Sequence, residues 1–186
     1  MERLDEIIKK DMKELLYDTE TIEKRIVELG KNITDFYKNE SNELVVVGIL
    51  RGSCMFYSDL IKCINLPIYI DFMAISSYGS SSTSGIVKII KDIEEDIVGK
   101  NVLIVEDIID TGKTLKYLLN YFKERGANSV KVASLLDKPK RRLVEISGDF
   151  VGFEVPDDFI VGYGLDYNQS YRNIPYIVSL KREVYS

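Results

Sequence analysis

Apolar residues recur along this 186-residue chain with two alternating spacings, and the alternation predicts a sheet with helices on its faces. Ile22, Ile26, Leu29, Ile33 and Phe36 fall four, three, four and three apart. That spacing predicts an amphipathic helix over residues 20–39, with Thr19 or Thr21 as its cap. Before it, Leu4, Ile7, Ile8, Met12 and Leu15 are loosely helical. Residues 44–50, Leu-Val-Val-Val-Gly-Ile-Leu, predict a buried strand that runs into Arg51-Gly52-Ser53. A helix bearing Met55, Phe56, Leu60 and Ile61 or Ile64 follows. Further strands are expected over 68–75, 86–90, 102–105, 130–136, 159–165 and 176–180. Leu115, Leu118, Leu119 and Phe122 mark another helix, ended by Gly126. Strands alternating with helices indicate an α/β architecture with a mostly parallel central sheet flanked by helices.

Within that frame the richest stretch is 102–114, Val-Leu-Ile-Val-Glu-Asp-Ile-Ile-Asp-Thr-Gly-Lys-Thr. Its four leading apolar residues read as a buried parallel strand, and Glu106 and Asp107 follow where that strand is expected to end. Asp110-Thr111-Gly112-Lys113-Thr114 then turns the chain into the next helix. Ligands of an open parallel sheet sit beyond the carboxyl ends of its strands. There the amides of the turn and the helix N-terminus offer donors to a phosphate, and the carboxylates can take sugar hydroxyls or a metal. Phosphate and polyol capture so close together point to a sugar phosphate. The Gly-Lys-Thr does not make a Walker P-loop, because Asp107 stands where that loop requires its first glycine.

Composition narrows the chemistry. A chain of this length is most economically one domain. Hydrophobic residues at 45% and charged residues at 30% fit a soluble globular protein, and no apolar run approaches a membrane span. The charged start, Met-Glu-Arg-Leu-Asp-Glu, does not read as a signal peptide, so a cytoplasmic location is expected. Cys54 and Cys63 lack metal-type spacing and read as packing residues. There is no histidine, which removes the commonest general base and transition-metal ligand. Any metal should then be oxygen-bound Mg²⁺. A net charge of −5 argues against a nucleic-acid partner.

Three other strand ends carry candidate chemistry. Arg51-Gly52-Ser53 couples a cation to a glycine whose bare backbone admits a close approach; alone it is a common turn. Residues 76–85 hold six serines, a threonine and two glycines, so the segment cannot order itself by burial and reads as a flexible loop. Asp137-Lys138-Pro139-Lys140-Arg141-Arg142 ends a strand; Lys140 and Arg141 read as solvated, whereas Lys138 lies at the strand end itself. Phe159 to Tyr167 forms a strand and its exit, with Arg172 close behind.

Together these segments resemble the type I phosphoribosyltransferases and, within them, the bacterial hypoxanthine-guanine branch. The resemblance runs from Leu44 to Ser179. Leu-Leu-Asp-Lys-Pro-Lys-Arg-Arg and Val-Gly-Phe-Glu-Val-Pro-Asp-Asp-Phe-Ile-Val-Gly-Tyr-Gly-Leu-Asp-Tyr are the parts specific to 6-oxopurines. It implies one domain over 1–186, with a base-binding hood made from the N- and C-terminal segments and a lid containing Ser77 and Tyr78. It implies transfer of ribosyl phosphate from phosphoribosyl pyrophosphate (PRPP) to N9 of hypoxanthine or guanine.

Asp110, Thr111, Gly112, Lys113 and Thr114 are then expected to hold the 5′-phosphate, and Glu106 and Asp107 the ribose hydroxyls. Arg51, Gly52 and Arg172 fall to the pyrophosphate. Asp110 is the expected proton acceptor. Lys138, Phe159, Ile160 and Asp166 are assigned to the purine, and Glu106, Asp107 and Asp166 to Mg²⁺. A homodimer or homotetramer is expected. The alternatives are the same fold acting on xanthine, a uracil-type regulator that binds RNA, or a PRPP-binding regulator without turnover.

Overall fold

The computed structural model describes residues 3–78 and 86–186. Six strands form the main sheet in the order β4-β3-β2-β5-β6-β7. They are β2 (Leu44–Leu50), β3 (Tyr69–Tyr78), β4 (Ile86–Lys91), β5 (Asn101–Ile109), β6 (Ser129–Asp137) and β7 (Phe150–Glu154). All neighbours pair parallel except β3 with β4. Alternate residues of the central strands feed opposite cores. Val46, Leu103 and Val105 pack under α2 (Thr19–Tyr37) and α3 (Cys54–Cys63) with Ile22, Leu29, Phe56 and Tyr57. Val45, Val47, Val102 and Ile104 pack under α4 (Lys113–Glu124) with Leu115, Leu118 and Phe122. Burial on both faces is why these strands read as unbroken apolar runs.

A second, antiparallel sheet of order β1-β9-β8 joins residues near the two ends of the chain. It comprises β1 (Met12–Tyr17), β8 (Ile160–Val161) and β9 (Ile177–Leu180). Beneath it, α1 (Leu4–Asp11) contributes Ile8 to a small core with Val161, Ile174, Val178 and Leu180. A last short helix, α5 (Arg182–Tyr185), follows.

Several expectations change. The loosely helical stretch stops at Asp11, and Met12 to Tyr17 pairs with β9 instead; long-range pairing overrides local spacing there. Asp18 rather than a threonine caps α2, its carboxylate accepting from Thr21 N at 2.8 Å. At the far end of that helix Tyr37 is buried while Phe36 stays half-exposed. The strand expected over 159–165 shrinks to Ile160–Val161, because Gly162, Tyr163 and Gly164 all take positive φ. Strand β7 has no counterpart among the expected elements. Ser76, Ser77 and Tyr78 continue β3 opposite Lys88, Val87 and Ile86. The remainder of the expected lid, 79–85, lies outside the described residues. Both cysteines are free, and Cys63 packs against the core under α2 and α3.

Candidate active site

Parallel pairing brings the carboxyl ends of β2, β5 and β6 to one edge of the main sheet, and strand register then opens a pocket there. β2 follows β5 only as far as Gly48 opposite Val105. β6 stays with β5 as far as Asp137 opposite Ile109. From Glu106 onward β5 is therefore paired on one side alone. Glu106 and Asp107 lie inside the strand, which runs on to Ile109 beyond its apolar run, and do not follow it as expected. The pocket, of ≈ 300 Å³, is lined by Gly52, Glu106, Asp107, Asp110, Thr111, Gly112, Thr114, Asp166 and Arg172, with Ile49, Leu50, Ile75, Ile108, Ile109 and Leu115 as apolar walls. Of those walls, Ile108 and Ile109 fall inside the 102–114 motif; Ile49, Leu50, Ile75 and Leu115 are signalled only by their nearness to a strand end or helix start.

Gly52 is bare for a reason the sequence did not reveal. A Cβ there would fall on the Asp107 carboxylate. That carboxylate accepts from Ile108 N at 2.8 Å. Burial, opposed by nearby backbone donors and the Arg172 charge, pushes the Asp107 carboxyl up to about 6. Glu106, 8% exposed, is raised well above the ordinary carboxylate range, first by burial and then by the charge of Asp107. Arg172 donates to Gly164 O at 2.8 Å and pairs with Asp166 at 2.7 Å.

Across the pocket, α4 begins after Gly112, whose φ of 80° suits a residue without a side chain. Gly112 has no side chain to cap this helix, and Lys113 N makes only a long 3.5 Å contact with Thr111 Oγ1, so the amides of the helix start keep bonding capacity to spare at the pocket edge. A helix start of this kind attracts a phosphate.

Asp110 joins this pocket to a second cavity. It lines the first, and its carboxylate lies 3.1 Å from Arg141 Nε. Arg141 in turn lines a cavity of ≈ 600 Å³ with Asp157, Asp158 and Tyr185. Arg141 is thus engaged with two acids, Asp110 and Asp157, rather than merely solvated. Lys138 stands near Asp110 and is only 6% exposed; its Nζ donates to Asp158 O at 2.6 Å, and burial lowers its pKa.

Lys138, Phe159 and Ile160 do not line the first pocket. Phe159 packs edge-on to Tyr167, with ring centroids 5.2 Å apart, and against Tyr185 at 4.9 Å. Ile160 is buried in β8. Arg51 is exposed and donates to Gln169 Oε1 at 2.9 Å, and Lys113 is exposed. Ser77 and Tyr78 sit at the end of β3.

Oxygen donors dominate the site. Among the described residues no three acidic, cysteine or histidine side chains converge as a metal cage. Glu106 and Asp107 are nonetheless two buried carboxylates, both raised by burial, with the Arg172 charge offsetting the shift of Asp107 only in part. Such a pair suits Mg²⁺, which is commonly held by one or two carboxylates together with substrate oxygens.

Residues 14–168 match the family described as "Phosphoribosyl transferase domain". The chain is 49% identical to the hypoxanthine-guanine phosphoribosyltransferase of Streptococcus agalactiae serotype V over 181 residues, 97% of this chain and 99% of that protein. It is also 49% identical to the enzyme of that name from Bacillus subtilis, over 96% of this chain and 99% of the relative. Among solved structures it is similar to a hypoxanthine phosphoribosyltransferase from Staphylococcus aureus, with a TM-score of 0.92 and 48% identity over 99% of this chain and all of that one. A ternary substrates complex of a mutant hypoxanthine phosphoribosyltransferase from Trypanosoma cruzi superposes with a TM-score of 0.89 at 42% identity, over 94% of this chain and 98% of that one.

Proposed function

This chain belongs to the phosphoribosyltransferase family and, within it, to the hypoxanthine-guanine phosphoribosyltransferases, and from that premise we propose how its strand-end pocket carries the reaction. The enzyme serves purine salvage: it transfers the 5-phosphoribosyl group of PRPP to N9 of hypoxanthine or guanine, giving IMP or GMP and pyrophosphate. One observation carries the assignment of roles. A single pocket joins a helix start without a capping side chain at Gly112 to two buried carboxylates, Glu106 and Asp107, that burial holds above the ordinary carboxylate range.

The amides and hydroxyls of Thr111, Gly112, Lys113 and Thr114 hold the 5′-phosphate, where the helix dipole favours an anion. Glu106 and Asp107 take the ribose 2′- and 3′-hydroxyls and orient the sugar. Arg172, Gly52 and, after turning from Gln169, Arg51 receive the pyrophosphate. Glu106 and Asp107, with Asp166, would hold Mg²⁺, which when bound supplies charge to the leaving pyrophosphate.

Departure of that group leaves a sugar with the character of an oxocarbenium ion, which water would trap. Ser77 and Tyr78 are the residues assigned to covering it. Asp110, at the junction of the two cavities, accepts the proton that the purine must lose; no histidine competes for that task. Lys138 donates to the 6-oxo group, Phe159 stacks on the ring, and the backbone of Ile160 and Asp166 meets its edge. An ammonium has only donors, so it faces the 6-amino group of adenine donor to donor. Antiparallel β1, β8 and β9 serve as the hood over the base.

Among the described residues no helix is long and apolar enough to cross a membrane; we read the enzyme as a cytoplasmic homodimer or homotetramer. Incubation with PRPP, Mg²⁺ and hypoxanthine should yield IMP, and adenine should yield little product. Asp110→Asn should lower turnover by about 10²–10⁴-fold while PRPP still binds. Absence of any nucleotide, with or without Mg²⁺, would overturn the reading.

A further inference from the structure

We propose that Arg142 is a positioning residue for the phosphate turn: it grips the turn's carbonyls from behind and so aims the amides at the PRPP phosphate. The proposal rests on residues 110–114 being that phosphate's site. A trans peptide carries its C=O and N–H on opposite sides. Fixing the carbonyls of Ile109, Asp110 and Thr111 therefore fixes the directions of the amides of Asp110, Thr111 and Gly112.

Each of the three carbonyls has a donor at its back. Ile109 O accepts from Arg142 Nη1 at 3.0 Å and from Lys138 N at 2.9 Å. Asp110 O accepts from the same Nη1. Thr111 O accepts from Leu143 N at 3.0 Å. The other arm of the guanidinium, Nη2, pairs with the Asp137 carboxylate, and the two side chains are only 13% and 15% exposed. At Gly112 a Cβ would meet Arg142 Cδ at 3.0 Å and Ile146 Cγ2 at 2.6 Å. The segment after β6 thus backs the turn along its length.

Arg142 does not line the ligand pocket. It acts through the turn. Asp137 offsets its charge, so its contribution is one of direction more than of field. A planar fork reaching two carbonyls and a carboxylate is a geometry that lysine cannot copy. Arg142 lines a separate cavity of ≈ 710 Å³, shared with Asp137, Leu143 and Ile146.

Steady-state kinetics of Arg142→Ala, Arg142→Lys and Thr114→Val test this. Backbone donors to the phosphate serve ground and transition states alike, so their loss should appear chiefly in KM. Arg142→Ala should raise the KM for PRPP about 10–100-fold, with the KM for hypoxanthine within about threefold of wild type and any fall in kcat, through the Asp110 carboxylate on the same turn, smaller than the rise in KM. Arg142→Lys should recover only part of the loss. Millimolar guanidinium, entering through the cavity that Arg142 lines, should lower the PRPP KM of Arg142→Ala, and ammonium should not.

A PRPP KM within about twofold of wild type, or a raised one that guanidinium leaves unchanged, would overturn the proposal. So would equal losses toward both substrates. If Arg142→Ala does not fold, Arg142→Lys decides: a wild-type PRPP KM overturns the proposal, and a selective rise supports it. Thr114→Val reports on the underlying reading. If it leaves the PRPP KM unchanged, the phosphate is bound elsewhere, and the proposal falls with that reading.

Discussion

Burying Glu106 beside Asp107 costs the empty enzyme stability, and the two residues show how a site built for ligand opposes the fold that carries it. Both carboxyls are raised in the folded chain, Asp107 to about 6 and Glu106 well above its ordinary range. Between an unfolded value near 4 and those folded values, the native state binds protons that the unfolded chain has released. Stability therefore falls as pH rises through that window, and the full cost is present above it. Glu106→Gln removes one charge and keeps the shape. Calorimetry of the ligand-free enzyme should show Tm rising roughly 2–6 °C at pH 8, with the gain vanishing near pH 4, while turnover drops. A fall in Tm at pH 8 would mean that the carboxylate is an indispensable acceptor instead of an uncompensated charge.

The loop after β2 and strand β5 meet where a glycine faces a short acidic side chain. The loop after β2 approaches β5 so closely that Gly52 has room for nothing beyond hydrogen against Asp107. Ser53, the next residue, is buried, and its hydroxyl donates to Ile49 O at 2.6 Å. That bond limits how far the loop can retreat. Gly52→Ala should therefore displace Asp107 rather than the loop, lowering kcat/KM for PRPP about 10²-fold in a protein that still folds. Activity near wild type would show that the loop yields easily. The start of α4 follows the same logic on the proposed reading: its amides would gain a partner in the 5′-phosphate.

The whole molecule divides its work between two sheets. The main sheet supplies Gly52, the β5 acids and the turn at 110–114 that we propose for the phosphate; the small sheet carries Ile160 and stands beside Phe159 and Asp158. Lys13 of β1 pairs with Asp158 at 2.8 Å, whereas Arg25 of α2 donates to the carbonyls of Val151 and Gly152 in β7 of the main sheet, both at 2.8 Å. Substrate effects should separate accordingly. Ile8→Ala empties part of the small core under β8 and β9, a change costing about 2–5 kcal/mol in a buried site. It should raise the KM for hypoxanthine several-fold and leave that for PRPP near wild type. Equal effects on both would show that the sheets move as one.

Read alone, the sequence determined the parallel core, the order of its helices and strands, and the residue types at the strand ends. Apolar runs such as 44–50 and 102–105 are local signals, because a strand buried on both faces needs no partner to be recognised. The spacing from Glu106 to Thr114 is local too, since acids, turn and helix start follow one another within a few residues. What depended on distant partners was not legible. Met12 to Tyr17 becomes a strand only because β9 lies beside it. Ser76 to Tyr78 stays extended only because β4 returns along it. Gly52 owes its bareness to Asp107, an acid on another strand. Arg142, in a basic run that resembles solvated surface, turns inward because the pairing of β5 with β6 brings Asp137 and the carbonyls of Ile109 and Asp110 to it. Periodicity carries information about which face is buried; close approach between segments far apart in the chain arises only when the strands take their register.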